Sequence, residues 1–196
     1  YSAPAAYYFP TVNRIQSFEI LKGGSQIQYG PNTTGGAINM VSNQIPSQFS
    51  GRVVASMGNY DTRNTYVNLG DNFDNFGYLV EYNNRNSDGF KTIDFSNKNT
   101  GFDGNDYVGK FRINTNAAAK IFQSLTLKAQ LSEESSNETY LGLTDADFDS
   151  NPYRRYLGSE ADNIDTKHEQ IMLTHLLIPS DNFTLTTKAY NNTFSR

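Results

Sequence analysis

From Phe76 onward the sequence FGYLVEYNNR alternates with a period of two. Phe76, Tyr78, Val80 and Tyr82 are bulky, whereas Gly77, Glu81, Asn83 and Arg85 are small or polar, with Leu79 the one exception. That period places one set of side chains on each face of a β-strand and is incompatible with a one-sided helix. The pattern recurs. In NDYVGKFRIN, Tyr107, Phe111 and Ile113 share a face opposite Asp106, Lys110 and Arg112; in QSLTLKAQLS, Leu125, Leu127, Ala129 and Leu131 oppose Thr126, Lys128, Gln130 and Ser132. NFTLTTKAYN alternates less cleanly, with Phe183, Leu185 and Ala189 against Thr184, Thr186 and Lys188. FSGRVVASMG and RNTYVNLGD supply two more strands near residues 49–70. The apolar run KHEQIMLTHLLI (167–178) has a helical alternative, but it is read as strand because Pro179 ends it and an alternating segment follows. Seven strands are expected.

The connections carry a second signal. GNYDTRN is short, DNFDN is a tight turn, 87–104 is a long loop, NAAAK is short, 134–165 is a very long loop and PSDN is tight. Apart from the first connection, long and short alternate, so the long loops gather at one end. Outer-membrane barrels have that asymmetry, and strands of roughly 9–11 residues cross a bilayer at a tilt. A soluble antiparallel sheet with one wet face also alternates. The loop parity and a bulky face rich in Tyr and Phe, which suit a lipid interface, favour the membrane reading.

Composition narrows the field. Only 37% of the 196 residues are hydrophobic, yet 13 Tyr and 13 Phe are present. Disordered chains lack such aromatics. The formal charge of -4 offers no basic stripe for nucleic acid. Without cysteine there is neither a disulfide framework nor a thiolate metal site. No apolar run reaches the roughly 20 residues of a membrane-spanning helix, which says nothing against a barrel. The chain opens on YSAPAAYYFP with neither an initiator Met nor a signal peptide, and a piece of a longer precursor is expected.

Before Pro46 the character differs. FEILKGGSQIQYGPNTTGGAINMV (18–41) reads as a strand ending at Gly23-Gly24, a helical turn SQIQY capped by Ser25, a loop, a tight turn at Gly35-Gly36 and a returning strand AINMVS. GPNTTGG lacks the spacing and the Lys-Ser/Thr ending of a phosphate-binding loop.

This stretch resembles the end of the plug domain of TonB-dependent outer-membrane receptors. The matching positions are Glu19, Lys22, Gly23, Tyr29, Gly30, Gly35, Gly36 and Asn39. Ser17 stands where many members carry Arg. YSAPAAYYFPTVNRIQ and TYLGLTDADFDSNPYRRY resemble the branch containing the ferric citrate receptor. The resemblance implies a mostly β fold: the C-terminal part of a plug domain over 1–46, then about seven antiparallel strands of an incomplete transmembrane β-barrel over 47–196. It implies a bacterial outer-membrane location, uptake of a ferric chelate with no resident cofactor, and outer-membrane lipid and lipopolysaccharide as partners. The TonB complex would act through an N-terminal segment preceding Tyr1, and further strands would follow Arg196. Glycines would let plug backbone pack closely against wall and ligand.

Candidate chemistry is sparse. His168 and His175, seven apart, fall on opposite faces of a strand and do not share a metal. Asp145, Asp147 and Asp149 are spaced like calcium-loop ligands, but Ser150 replaces the required Gly and Tyr156 the final Glu, so a solvated acidic loop is expected. Tyr153, Arg154 and Arg155 follow on an outer loop. Arginine forks suit the carboxylates of ferric citrate; the alternative is pairing with Asp147, Asp149 or lipopolysaccharide phosphates. Asn32 and Thr33 are candidate ligand contacts in the plug loop. No nucleophile, base and orienting partner can be assembled, and catalysis is not expected. The rival function is a soluble β-rich binding module, an adhesin or carbohydrate-binding domain; within the receptor family, cobalamin or a glycan are the rival ligands.

Overall fold

The computed structural model describes residues 9–24 and 35–196, which form two units, Phe9–Gln44 and Ile45–Arg196. The protein is mostly β, with little helix.

In the first unit, β1 (Ile15–Leu21) and β2 (Ala37–Ser42) form an antiparallel pair. The glycines flanking the intervening segment have a conformational role: Gly23 has φ +70° and Gly36 φ +122°, both in the region that disfavours a Cβ. The expected helical turn SQIQY lies outside the described residues.

The second unit is built on one antiparallel sheet of seven strands: β3 (Ser50–Met57), β4 (Arg63–Asn72), β5 (Phe76–Ser87), β7 (Phe102–Asn114), β8 (Phe122–Ser136), β10 (Ile164–Ser180) and β11 (Phe183–Ser195). Each strand pairs with its neighbour along the chain, an up-and-down meander. Two-residue strands β6 (Thr92–Ile93) and β9 (Arg154–Arg155) pair in parallel outside it. Strands β5, β7 and β8 extend further than the alternation indicates, leaving loops of 88–101 and 137–163. KHEQIMLTHLLI is strand, but Pro179 does not end it. It occupies the register break between Leu177 and Ser180, where no ladder bond is needed from its nitrogen.

Register assigns the two faces. Leu69, Val80, Gly109, Ala129 and Ile171 are paired in one row across β4, β5, β7, β8 and β10; Tyr78, Phe111, Leu127 and Leu173 form the next. On the reverse face Asn68, Glu81, Val108, Gln130 and Gln170 form a row. Accessibility is inverted relative to a protein that buries its apolar side. Tyr107 is 46% exposed and Phe111 42%, whereas Asp106 and Lys110 are each 6% exposed. Rings also line up on the exposed side: Tyr82 and Tyr107 lie 5.2 Å apart toward the long loops, and Phe73, Phe76 and Tyr78 stack at 6.4 and 6.0 Å toward the tight turns.

The less accessible face is tied by hydrogen bonds as well as packing. Tyr66, fully buried, donates its hydroxyl to Glu81 Oε1 at 2.6 Å and accepts from Asn68 Nδ2 at 2.9 Å. A bond to a buried carboxylate is worth more than a neutral one. Tyr66→Phe is expected to lower unfolding free energy by about 1–2 kcal/mol, read as a shifted denaturant midpoint at unchanged slope.

Candidate functional site

All long connections emerge at one end of the sheet, joined there by the β3–β4 turn. That turn places Tyr60 at φ +61° and Asp61 at φ +51°, the left-handed pair of a type I′ turn normally filled by Asn-Gly. Its carbonyl at Tyr60 accepts from Asp88 N at 2.8 Å, which ties the turn to the 88–101 loop.

The two long loops are held to each other by β6 and β9. Thr92 N donates to Tyr153 O at 3.0 Å and Asp94 N to Arg155 O at 2.8 Å. Beside this bridge, Arg154 Nε donates to both oxygens of Asp94, at 3.1 and 2.8 Å, and Nη1 to Asp147 Oδ1 at 2.6 Å. Asp147 also accepts at Oδ2 from the Tyr156 hydroxyl at 2.6 Å and from Thr144 Oγ1 at 2.9 Å. Thr144 caps helix α1 (Asp145–Ser150) by accepting from Asp147 N, so one carboxylate serves both cap and clamp. Two acids on one guanidinium, with hydroxyl donors completing their shells, make a satisfied charge cluster.

The Tyr156 hydroxyl, then the Thr144 hydroxyl, then the Arg154 charge hold the Asp147 carboxyl below the usual carboxylate range. A folded pKa depressed below its unfolded value near 3.9 stabilises the clamp above that pH and ceases to do so as pH falls through the folded value. Protease protection of loop 137–163 is therefore expected to persist from neutral pH to about pH 4 and to fail only in stronger acid. In Asp147→Ala the loop is expected to be cleaved at neutral pH.

Arg155 differs from its neighbour. Its Nη1 donates only to backbone carbonyls, of Pro152 at 2.9 Å and of Arg154, and no carboxylate is bonded to it among the described residues. Tyr153 is 54% exposed and meets Phe90 edge-on, with ring centroids 6.0 Å apart. Phe90 in turn lies 6.2 Å from Tyr60. The structure thus gathers Tyr153, Arg154 and Arg155 at the long-loop end. Sequence reasoning missed Asp94, Tyr60 and Phe90, which lie about 60 to 90 residues from Arg154 and Tyr153 and carry no local signal. Thr144 and Asp147 do carry one, the Thr-x-x-acid spacing of a helix start.

Of the plug-motif positions, Glu19 and Asn39 are cross-strand partners, and Asn39 Nδ2 donates to Glu19 Oε2 at 2.7 Å. Lys22 follows β1, and Gly23, Gly35 and Gly36 bracket the central segment. Tyr29, Gly30, Asn32 and Thr33 lie outside the described residues. His168 and His175 occupy opposite sheet faces: His168 pairs with Ser132 in the polar row, and His175 with Leu125 on the apolar side. His168 Nδ1 is 3.0 Å from Gln130 Nε2, and His175 Nε2 is 3.2 Å from Gln123 Oε1. No cluster of three or more metal-ligating side chains occurs among the described residues. Compared with family models, curated proteins and solved structures, the chain matches none.

Proposed function

We propose that the chain is part of a TonB-dependent outer-membrane receptor that takes up a ferric chelate, ferric citrate or a similar siderophore. In this reading 47–196 is wall and 1–46 the end of the plug, with lipopolysaccharide around the wall and the TonB complex driving release. The observation that carries it is the inversion of the sheet, whose aliphatic and aromatic face is exposed while Glu81, Asp106 and Lys110 lie on the less accessible side. In water that arrangement is unfavourable, since each buried apolar side chain returned to solvent forgoes about 1.5–3 kcal/mol. Against lipid it is the favourable one. Rings near both ends of the apolar band fit the aromatic girdles of such walls.

Within this reading the two arginines divide their work. Arg154, engaged by Asp94 and Asp147, positions the loops; Arg155 meets the chelate's carboxylates. The intact protein is expected to require detergent for extraction and to migrate differently on a gel when unheated. Free solubility without detergent is the result that removes the receptor reading and leaves the soluble binding module. In cells, Arg155→Ala is expected to depress ferric citrate uptake at unchanged outer-membrane level. Unaltered uptake takes Arg155 out of the ligand site.

A further inference from the structure

We propose that the corner formed by Tyr60, Phe90 and Tyr153 is a binding site for a neutral saccharide. Three rings from three separate segments meet there, and each stays about half exposed: 56%, 51% and 54%. Rings gathered only to bury themselves would be covered by one another and by the loops. These instead present faces tilted by 57° and 89° to one another, an angled surface. The electron-rich face of an aromatic ring attracts the polarised C–H groups of a pyranose, whose hydroxyls then point to the rim.

The rim suits such a ligand. Lys91 Nζ lies 5.8 Å from the Phe90 centroid and donates to Thr139 Oγ1 at 2.8 Å. Asp88 Oδ1 accepts from Asn99 Nδ2 at 3.1 Å. A hollow of about 410 Å³ at the same end of the sheet is lined by Asp61, Arg63, Asp88, Asn99, Asp103 and Asn137; it reaches the rings through Asp61, next to Tyr60, and Asp88, whose N–H donates to the Tyr60 carbonyl. That volume falls within the roughly 300–1,000 Å³ of small-ligand sites. Its donors and acceptors are mixed, with acids outnumbering bases, which suits hydroxyl groups and disfavours an anion.

The backbone holds the rings in place. Among the described residues, the non-glycine positions with positive φ are Tyr60, Asp61 and Phe95, all at this end of the sheet. At Tyr60 and Asp61 the hairpin turn requires that conformation, which fixes where the Tyr60 ring stands. Tyr60 is held in place by the Asp88 N–H and the Ser87 hydroxyl on its carbonyl, and Tyr153 by the Thr92 N–H on its own. The platform is therefore set before any ligand arrives.

A free oligosaccharide and the sugar portion of lipopolysaccharide both offer this chemistry. The test uses the intact protein in detergent, with maltoheptaose and a lipid-free, uncharged O-chain oligosaccharide from lipopolysaccharide as separate probes in saturation-transfer NMR titrations. Binding of at least one probe is expected, and which one binds identifies the source. Phe90→Leu keeps an apolar contact with both neighbours but removes the ring face, and it is expected to weaken binding about tenfold, with Tyr153→Leu doing the same. No transfer to either probe, or affinities unchanged in both variants, overturns the proposal. The site does not depend on whether the sheet faces lipid, so a failure here leaves the detergent and uptake results standing.

Discussion

Leu127→Arg is expected to destabilise the intact protein in phosphatidylcholine vesicles by about 2–4 kcal/mol. Leu127 sits in the middle of the exposed apolar face, paired with Phe111 on one side and Leu173 on the other, with Leu125 and Ala129 two residues away along β8. Its accessibility of 38% is what gives the substitution its discriminating power. In water a side chain that open accepts arginine at a cost of about 0.5 kcal/mol or less. In hydrocarbon the guanidinium has neither water nor a carboxylate beside it. Denaturant unfolding of wild type and variant from vesicles reads the difference. A change below about 0.5 kcal/mol there means that this face meets water, and the membrane reading then fails.

Gly101→Ala is expected to cost about 3 kcal/mol or more, or to pull the 88–101 loop out of place. A Cβ on Gly101 would lie 1.6 Å from the Ser87 carbonyl oxygen and 2.6 Å from the Asp88 carbonyl carbon. Those are backbone atoms, and the backbone here is pinned: Thr100 N donates to Asp88 O at 3.0 Å and Asn137 N to Gly101 O at 2.8 Å. Relief would require breaking the Ser87–Phe102 pairing that closes the strand ends. Gly142→Ala serves as the control, since nothing lies within 4 Å of its added Cβ, and it is expected to change stability by no more than about 0.5 kcal/mol. Unfolding midpoints and protease cleavage within 88–101 measure both. Equal behaviour of the two variants would mean that the close approach at Gly101 is absent in solution.

The seven strands were legible wherever apolar and polar residues alternate, because a single face then differs in kind from its reverse. Legibility ended where both faces turn polar. Ser87, Phe102–Gly104 and Glu134–Ser136 fall in segments read as loop, yet they continue the ladder. Lateral bonds between polar side chains support them, among them Asn84 Nδ2 and the Tyr82 hydroxyl, each 3.0 Å from Asn105 Oδ1. Hydropathy does not register an amide paired with an amide. The two-residue strands β6 and β9 were invisible for another reason: each has meaning only through the other, some 60 residues distant.

The candidate site divides in the same way. Tyr153, Arg154 and Arg155 stood out as an aromatic–arginine run, and the Glu19–Asn39 pair lay within a motif whose hairpin the flanking apolar runs already implied. Which arginine is engaged could not be read from the run itself. Arg154 and Arg155 are adjacent and chemically identical, and what distinguishes them is the arrival of Asp94 from another loop and of Asp147 from their own.

The order of residues alone fixed the period, the chemistry of each face and the end at which the long loops lie, since these follow from the alternation of side chains along an extended backbone. The tertiary structure decided which face is open, which cation is neutralised and which rings meet. Each of those depends on segments far apart in the chain being brought within a few ångströms, where charge and dispersion forces act.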